Sequence, residues 1–218
     1  MGGKGETAMA YRTEQEEFWS GDFGEKYVDR NNSQELLASN IALFSEILDR
    51  TEGVKSIIEF GPNIGMNLKA VKTLLPDVSC SAIEINHKAV EALREDSYFK
   101  GSMEIFEGSI LEYEAKKQYD FALIKGVLIH ISPSELGNVY DKLYHSSGRY
   151  ICIAEYYNPA PVTVQYRGNE NRLFKRDFAG EFLECYPDIK LIDYGFKYHR
   201  DVNFPQDDIT WFLMEKQQ

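Results

Sequence analysis

The sequence predicts a single α/β domain, built on a mostly parallel seven-stranded sheet with an antiparallel edge strand and helices on both faces. Three observations carry this expectation. Apolar runs of strand length alternate with amphipathic stretches through the middle of the chain, a glycine-containing turn follows the first run, and the last two runs have no helix between them. A length of 218 residues, 43% of them hydrophobic and 27% charged, leaves room for a sizeable core and argues against a disordered or fibrous chain.

In chain order, residues 1–12 are expected to be a disordered tail, 13–50 a helical cap and 51–218 the sheet domain. Met1 to Ala10 contain no apolar stretch of signal-peptide length, and no later run is long enough to span a bilayer. Between Thr13 and Arg30 the charged sequence is punctuated by Phe18, Trp19, Phe23 and Tyr27, which predicts short helical pieces with aromatic anchors. From Ser33 to Leu48 apolar residues recur at helical spacing. Ser56 to Phe60 reads as a buried strand, Gly61 to Gly65 as a turn, and Met66 to Leu75 as a helix stopped by Pro76. Further strands are expected at Val78 to Ile85, Met103 to Phe106, Tyr119 to Ile124 and Arg149 to Glu155, with helices at Lys88 to Glu95 and after Ser132-Pro133. A long polar loop then leads to a helix around Asp177 to Cys185, and Lys190 to Tyr198 and Asp208 to Glu215 complete the strands.

The formal net charge of -11 would repel a phosphate backbone, so nucleic acid is not the expected partner. Arg167, Arg172, Lys175 and Arg176 cluster in sequence and suit a small anion better. Cys80, Cys152 and Cys185 lack metal-ligand spacing, and two of them lie in apolar runs, which points to reduced thiols and a cytoplasmic setting. His87, His130, His145 and His199 form no ligand pattern, so no metal is expected.

The chemistry is concentrated at the strand ends. In open α/β sheets ligands bind beyond the carboxyl ends of the strands, where glycines allow close approach to the backbone. Gly61-Pro62-Asn63-Ile64-Gly65 occupies that place after the first strand. Asn63 and Met66 stand where a dinucleotide fingerprint needs its second and third glycines, which disfavours a nicotinamide cofactor and hence a dehydrogenase. The segment resembles the first motif of class I methyltransferases, with Glu59, Gly61 and Gly65 in matching positions and Asn63, a residue that tolerates the left-handed region, replacing the middle glycine. A tight turn without a ligand explains the same residues equally well. Glu84 tips the balance: it ends the next strand about twenty residues on, where a carboxylate can bind both hydroxyls of an adenosine ribose.

The resemblance continues at Ser109 and Ile110 after the third strand, which it implies contact adenine, and at Lys125 and Gly126 after the fourth, which it implies line the methionine portion of S-adenosylmethionine. It thereby implies a Rossmann-like class I methyltransferase fold. Glu14 to Trp19, Tyr27 to Asn31, Gly61 to Asn67 and Phe204 to Asp208 look like the methylases associated with pseudaminic acid biosynthesis, a likeness covering nearly the whole chain. It implies a small-molecule acceptor, a sugar or sugar-nucleotide of bacterial surface glycan biosynthesis, methylated on oxygen or nitrogen.

His130 is the candidate base, since it follows the fourth strand near the expected methyl, although a histidine satisfied by the neighbouring helix is an equally good reading. Trp19, Tyr27 and Arg30 are candidate lid residues over the cofactor, with Arg30 able to meet a carboxylate; otherwise the two aromatics only staple the first helix. Tyr156, Tyr157, Tyr166, Arg167, Arg176, Tyr198 and Arg200 are candidate substrate residues, the arginines gripping an anionic acceptor or merely balancing nearby carboxylates. A noncatalytic module that keeps the nucleotide fold to assemble with a biosynthetic partner is the competing function.

Overall fold

Strand β1 (Ser56–Phe60) is buried along nearly its whole length, and such a strand needs partners on both sides. It has them in β2 (Ser79–Glu84) and β4 (Tyr119–Lys125), both parallel to it. Beyond β2 lies β3 (Glu104–Glu107), and beyond β4 lies β5 (Ser147–Glu155), again in parallel. The computed structural model describes residues 11–28, 30, 32–99, 101–166 and 168–217.

After β5 the chain makes a hairpin of β6 (Val162–Tyr166) and β7 (Asn169–Lys175) before entering β8 (Ile189–Lys197) and β9 (Ile209–Lys216). The main sheet has seven strands in the order β3-β2-β1-β4-β5-β9-β8. β9 runs between β5 and β8, antiparallel to both, so the last two strands form the antiparallel pair at one edge. The β6–β7 hairpin corrects the expectation of a long polar loop. It stands outside the main sheet with Val162 and Val164 exposed, so no buried alternation marks it in the sequence.

Helices α1 (Glu14–Ser20) and α2 (Asp22–Val28) precede α3 (Gln34–Leu48), and α4 (Met66–Leu74), α5 (His87–Glu95), α6 (Leu136–Ser146) and α7 (Phe178–Cys185) follow the strands. Their starts obey capping chemistry. Thr13 and Glu16 form a capping box, and the side chains of Ser33, Asn86 and Asp177 accept from the free backbone N–H groups of α3, α5 and α7. The Ser132-Pro133 signal opens a short 3-10 turn, Pro133–Glu135, that runs into α6.

Two apolar layers flank the sheet. Leu43, Phe44 and Ile47 of α3 pack with Leu68 and Val71 of α4 and Leu93 of α5 against Ile57, Phe121 and Leu123. On the other face, Val139 and Leu143 of α6 join Phe178 and Phe182 of α7 against Ile58, Phe60 and Ile124. Phe44 and Phe182 are fully buried, one on each face, and burial of each side chain contributes about 1.5–3 kcal/mol. The winding reverses between β1 and β4, which places the ligand crevice at the carboxyl ends of those two strands. No helix among the described residues is long and apolar enough to cross a membrane. The tail expected at 1–12 falls outside the described residues except for Tyr11 and Arg12.

Gly65 makes the turn into α4 possible. Its φ is +77°, and an added Cβ would lie 2.7 Å from Leu93 Cδ2 and 2.9 Å from Phe99 Cε2. Gly65→Ala is expected to cost about 1–3 kcal/mol through left-handed strain and overlap, read as a lowered urea midpoint with an unchanged m-value.

Candidate active site

The turn after β1 is shaped by close approach. Gly61 has φ +72°, and an added Cβ would lie 2.7 Å from Val127 Cγ2. Asn63 also occupies the left-handed region, at φ +52°. The Gly61 N–H donates to the Ile83 carbonyl at 2.8 Å, tying the turn to the neighbouring strand. At its tip the Asn63 N–H donates to Glu84 Oε2 at 2.8 Å, while Glu84 Oε1 accepts from the Asn86 N–H at 2.8 Å. Burial raises the Glu84 carboxyl pKa, and the bonds from Asn86 and Asn63 oppose the shift. The ends of β1 and β2 are thus joined through one carboxylate.

Glu59, matched to the motif by its place before the turn, lies beneath it and does not line the cleft. Its Oε1 accepts from Asn67 Nδ2 at 2.6 Å, and its buried Oε2 has no partner. Burial lifts its pKa to about 7, with the Asn67 bond and the Lys125 charge pulling it back. Glu59 therefore orients Asn67, which does line the cleft. Gly65 likewise acts in the turn and in packing rather than in the cleft wall.

At the end of β4, Lys125 and Gly126 line the cleft. Burial lowers the Lys125 pKa against the opposing charges of Glu59, Asp207 and Glu155. Glu155 ends β5, and its Oε1 accepts from the N–H groups of Val127 and Leu128 at 2.9 and 2.8 Å, which fixes the segment carrying His130. Its own pKa is pushed up to about 7 by burial, against those backbone bonds. His130 Nδ1 lies 2.6 Å from the Arg172 carbonyl oxygen, which can only accept, so the proton sits on Nδ1 and Nε2 keeps its lone pair. Burial drops the His130 pKa to about 4, leaving a neutral imidazole at physiological pH.

The roof comes from α1, α2 and the hairpin. The Trp19 ring lies 4.7 Å from His130 and 5.3 Å from Tyr27, and the Tyr166 ring lies 5.0 Å from His130. Ser109 Oγ donates to Glu16 Oε1, fastening α1 to the end of β3. Arg172 Nη1 bonds Glu14 Oε2 at 3.0 Å, fastening the hairpin to the start of the same helix. Asn86 Nδ2 donates to the Trp19 carbonyl at 3.1 Å, and Gln206 Nε2 donates to Asn40 Oδ1 at 2.8 Å, drawing the loop before β9 towards α3. Together these elements bound a cleft of about 470 Å³, within the size range of small-molecule sites.

Twelve sequence-predicted residues line this one cleft: Trp19, Tyr27, Gly61, Asn63, Glu84, Ser109, Ile110, Lys125, Gly126, His130, Tyr156 and Tyr166. Others do not reach it. Arg30 Nε donates to the Lys26 carbonyl at 3.0 Å and its guanidinium sits over Phe23. Arg176 Nε pairs with Glu181 at 2.6 Å, so its charge is already matched. Tyr157 is exposed and packs on Phe212, and Tyr198 and Arg200 are exposed in the loop between β8 and β9 and do not line the cleft. Arg167 lies outside the described residues. Glu16, Asn67, Asn86, Glu155 and Asp207 were not anticipated as site residues. For Glu155 a signal existed: like Glu59 and Glu84, it is a carboxylate closing an apolar strand. Among the described residues no group of His, Cys, Asp and Glu could hold a metal ion.

At the level of sequence the chain matches no protein-family model and no curated relative. Solved structures do match. The 1,6-didemethyltoxoflavin-N1-methyltransferase of Burkholderia thailandensis, solved with 1,6-didemethyltoxoflavin and S-adenosylhomocysteine bound, is similar with a TM-score of 0.67 at 13% identity, over 97% of this chain and 94% of that one. Magnesium protoporphyrin IX methyltransferase from Synechocystis PCC 6803, with bound SAM, gives 0.66 at 12% identity, over 97% and 100%. The plantazolicin methyltransferase in complex with SAH gives 0.63 at 14% identity, over 94% of each chain. The chain has the fold of these methyltransferases. On that fold, the cleft lies at the carboxyl ends of the strands, where the winding reverses.

The two carboxyls lifted to about 7 have a consequence for stability. Between the ordinary value of 4.5 and about 7 the folded chain holds more protons on Glu59 and Glu155 than the unfolded chain does, so their contribution weakens as pH rises through that window. Glu59→Gln and Glu155→Gln are each expected to flatten the fall in stability, by about 3 kcal/mol at most. Urea midpoints across the window, compared with the parent chain, measure the difference.

Proposed function

We propose that the chain is an S-adenosylmethionine-dependent methyltransferase acting on a small molecule. The observation that carries the reading is the Glu84 carboxylate bonded to the Asn63 turn inside a cleft at the switch point of a methyltransferase fold. The residues present fit the cofactor chemically. Asn63 Oδ1 and Asn67 Oδ1 are buried acceptors without a partner, suited to an ammonium or hydroxyl donor. Glu84 is a further acceptor, and Ile83, Ile85, Ile110 and Leu111 supply apolar walls for a base.

In this reading Glu84 takes the ribose hydroxyls, Ser109 and Ile110 border the adenine, and the Gly61 to Gly65 turn with Lys125 and Gly126 frames the methionine portion. Glu59 and Gly65 contribute by holding the turn. When bound, the cofactor supplies an electrophilic sulfonium methyl. Trp19 and Tyr27 exclude water from above, and the acceptor is oriented by proximity in the remaining part of the cleft. His130 accepts a hydrogen bond, and a departing proton, at Nε2.

A ring-shaped acceptor from bacterial surface glycan synthesis, as in pseudaminic acid biosynthesis, is supported by the sequence likeness and by the aromatic walls of the cleft. The buried free thiols of Cys80 and Cys152 support a reducing, cytoplasmic location.

Calorimetry with S-adenosylhomocysteine tests the reading directly. The parent chain is expected to bind in the micromolar range, and Glu84→Ala to weaken binding by about 10-fold or more, the loss of a charged hydrogen-bond acceptor. Glu84→Gln, which keeps one acceptor oxygen, is expected to lose less. A folded parent chain that binds no S-adenosylhomocysteine would overturn the assignment and leave a noncatalytic module as the better account.

A further inference from the structure

The cleft has two chemically different ends. Ser109 follows β3 and Glu84 ends β2, whereas His130 follows β4, Tyr156 follows β5 and Asp207 precedes β9. The sheet order therefore sets the first pair apart from the other three along the cleft.

At the β4 to β9 end the walls are rings. Trp19, Tyr27, His130, Tyr156 and Tyr166 all line it and come from separate segments. Such faces attract cations and stack on ring compounds.

Around this end carboxylates outnumber the one cation they face, Lys125. Among the described residues lining the cleft, Lys125 is the one lysine or arginine, and it already faces Glu59, Asp207 and Glu155. Three carboxylates line the cleft: Glu84 and Glu16, which is bonded to Ser109, belong to the other end, and Asp207 to this one. Glu16 is engaged by Ser109 and Thr13, and Glu84 by two backbone amides. Asp207 accepts no hydrogen bond from the described residues, and it is exposed at the mouth, with its charge felt by Tyr156.

The bidentate grip on a phosphate or carboxylate is the planar fork of an arginine. Arg172 and Arg176 are paired with Glu14 and Glu181, and neither lines the cleft. His130 offers an acceptor at Nε2, the complement of an amine N–H.

We infer that this end of the cleft binds a small ring compound bearing an amine, held by the aromatic walls and by Asp207, and discriminates against phosphorylated or carboxylated acceptors. Calling that compound the methyl acceptor rests on the methyltransferase reading. The binding preference does not. It narrows a sugar acceptor to an amino sugar without a phosphate.

The full chain, without cofactor, is titrated with benzylamine, benzyl alcohol and benzoate, which share a ring and differ in charge, and with glucosamine and glucose 1-phosphate. Binding is followed by calorimetry and by tryptophan fluorescence. Of the two tryptophans, Trp19 lines the cleft and Trp211 is buried in the core, so Trp19→Phe should abolish the fluorescence response.

Benzylamine is expected to bind at least about fivefold more tightly than benzoate, and glucosamine more tightly than glucose 1-phosphate. In Asp207→Asn, an exposed substitution, the preference should shrink to within about twofold. Equal or tighter binding of benzoate or glucose 1-phosphate, an undiminished preference in Asp207→Asn, or no binding of any probe at millimolar concentration each overturns the inference. Failure of S-adenosylhomocysteine to bind overturns the methyltransferase reading alone.

Discussion

A single buried carboxylate organises the functional end of this molecule. Glu84 accepts from the backbone of Asn63 with one oxygen and of Asn86 with the other, so the turn after β1 and the start of α5 are held at a fixed separation. Without such a partner, the left-handed Asn63 and the N–H groups that open the two loops would have to be satisfied by water. The cost is a carboxylate removed from solvent, which its bonds to the two amides offset in part. Asn86 then extends the link by holding the Trp19 carbonyl, so the same node reaches the roof.

The same device is repeated along the sheet. Glu59 closes β1 and orients Asn67, and Glu155 closes β5 and holds the backbone of Val127 and Leu128. Each is a glutamate at the end of an apolar strand, turned to polar groups of a neighbouring segment. Lys125 sits among them, and its charge lowers the cost of burying both. The strand ends are thereby tied to one another through side chains without any ligand, and held geometry is the condition for orienting two reactants.

The roof is assembled differently. Helices α1 and α2 are each seven residues long, too short to be stable alone, and are held by side-chain contacts to distant segments. Glu16 reaches Ser109, Glu14 reaches Arg172, and Trp19 and Phe23 pack on His130 and Tyr166. Arg172 serves twice, since its carbonyl also sets the His130 tautomer.

Alternating runs such as Ser56 to Phe60 and Tyr119 to Ile124, the turn from Gly61 to Gly65 and the strand-terminal Glu84 were legible in the sequence by itself, and with them the sheet, its helical layers and the place of the crevice. This is because periodicity, capping and left-handed turns are local properties, written within a few residues. Only the tertiary structure decided that the β6–β7 hairpin forms beside the sheet, that Arg30 and Arg176 turn to neighbours outside the cleft, that Glu16 and Asp207 line it, and that Glu155 holds the loop beside it. Glu155 meets Val127 across 28 residues of chain, Glu16 meets Ser109 across 93 and Glu14 meets Arg172 across 158, and no local pattern specifies such encounters. The partners of Arg30 and Arg176 are near in sequence, but whether those side chains turn to a neighbour or to the cleft depends on how the whole chain packs.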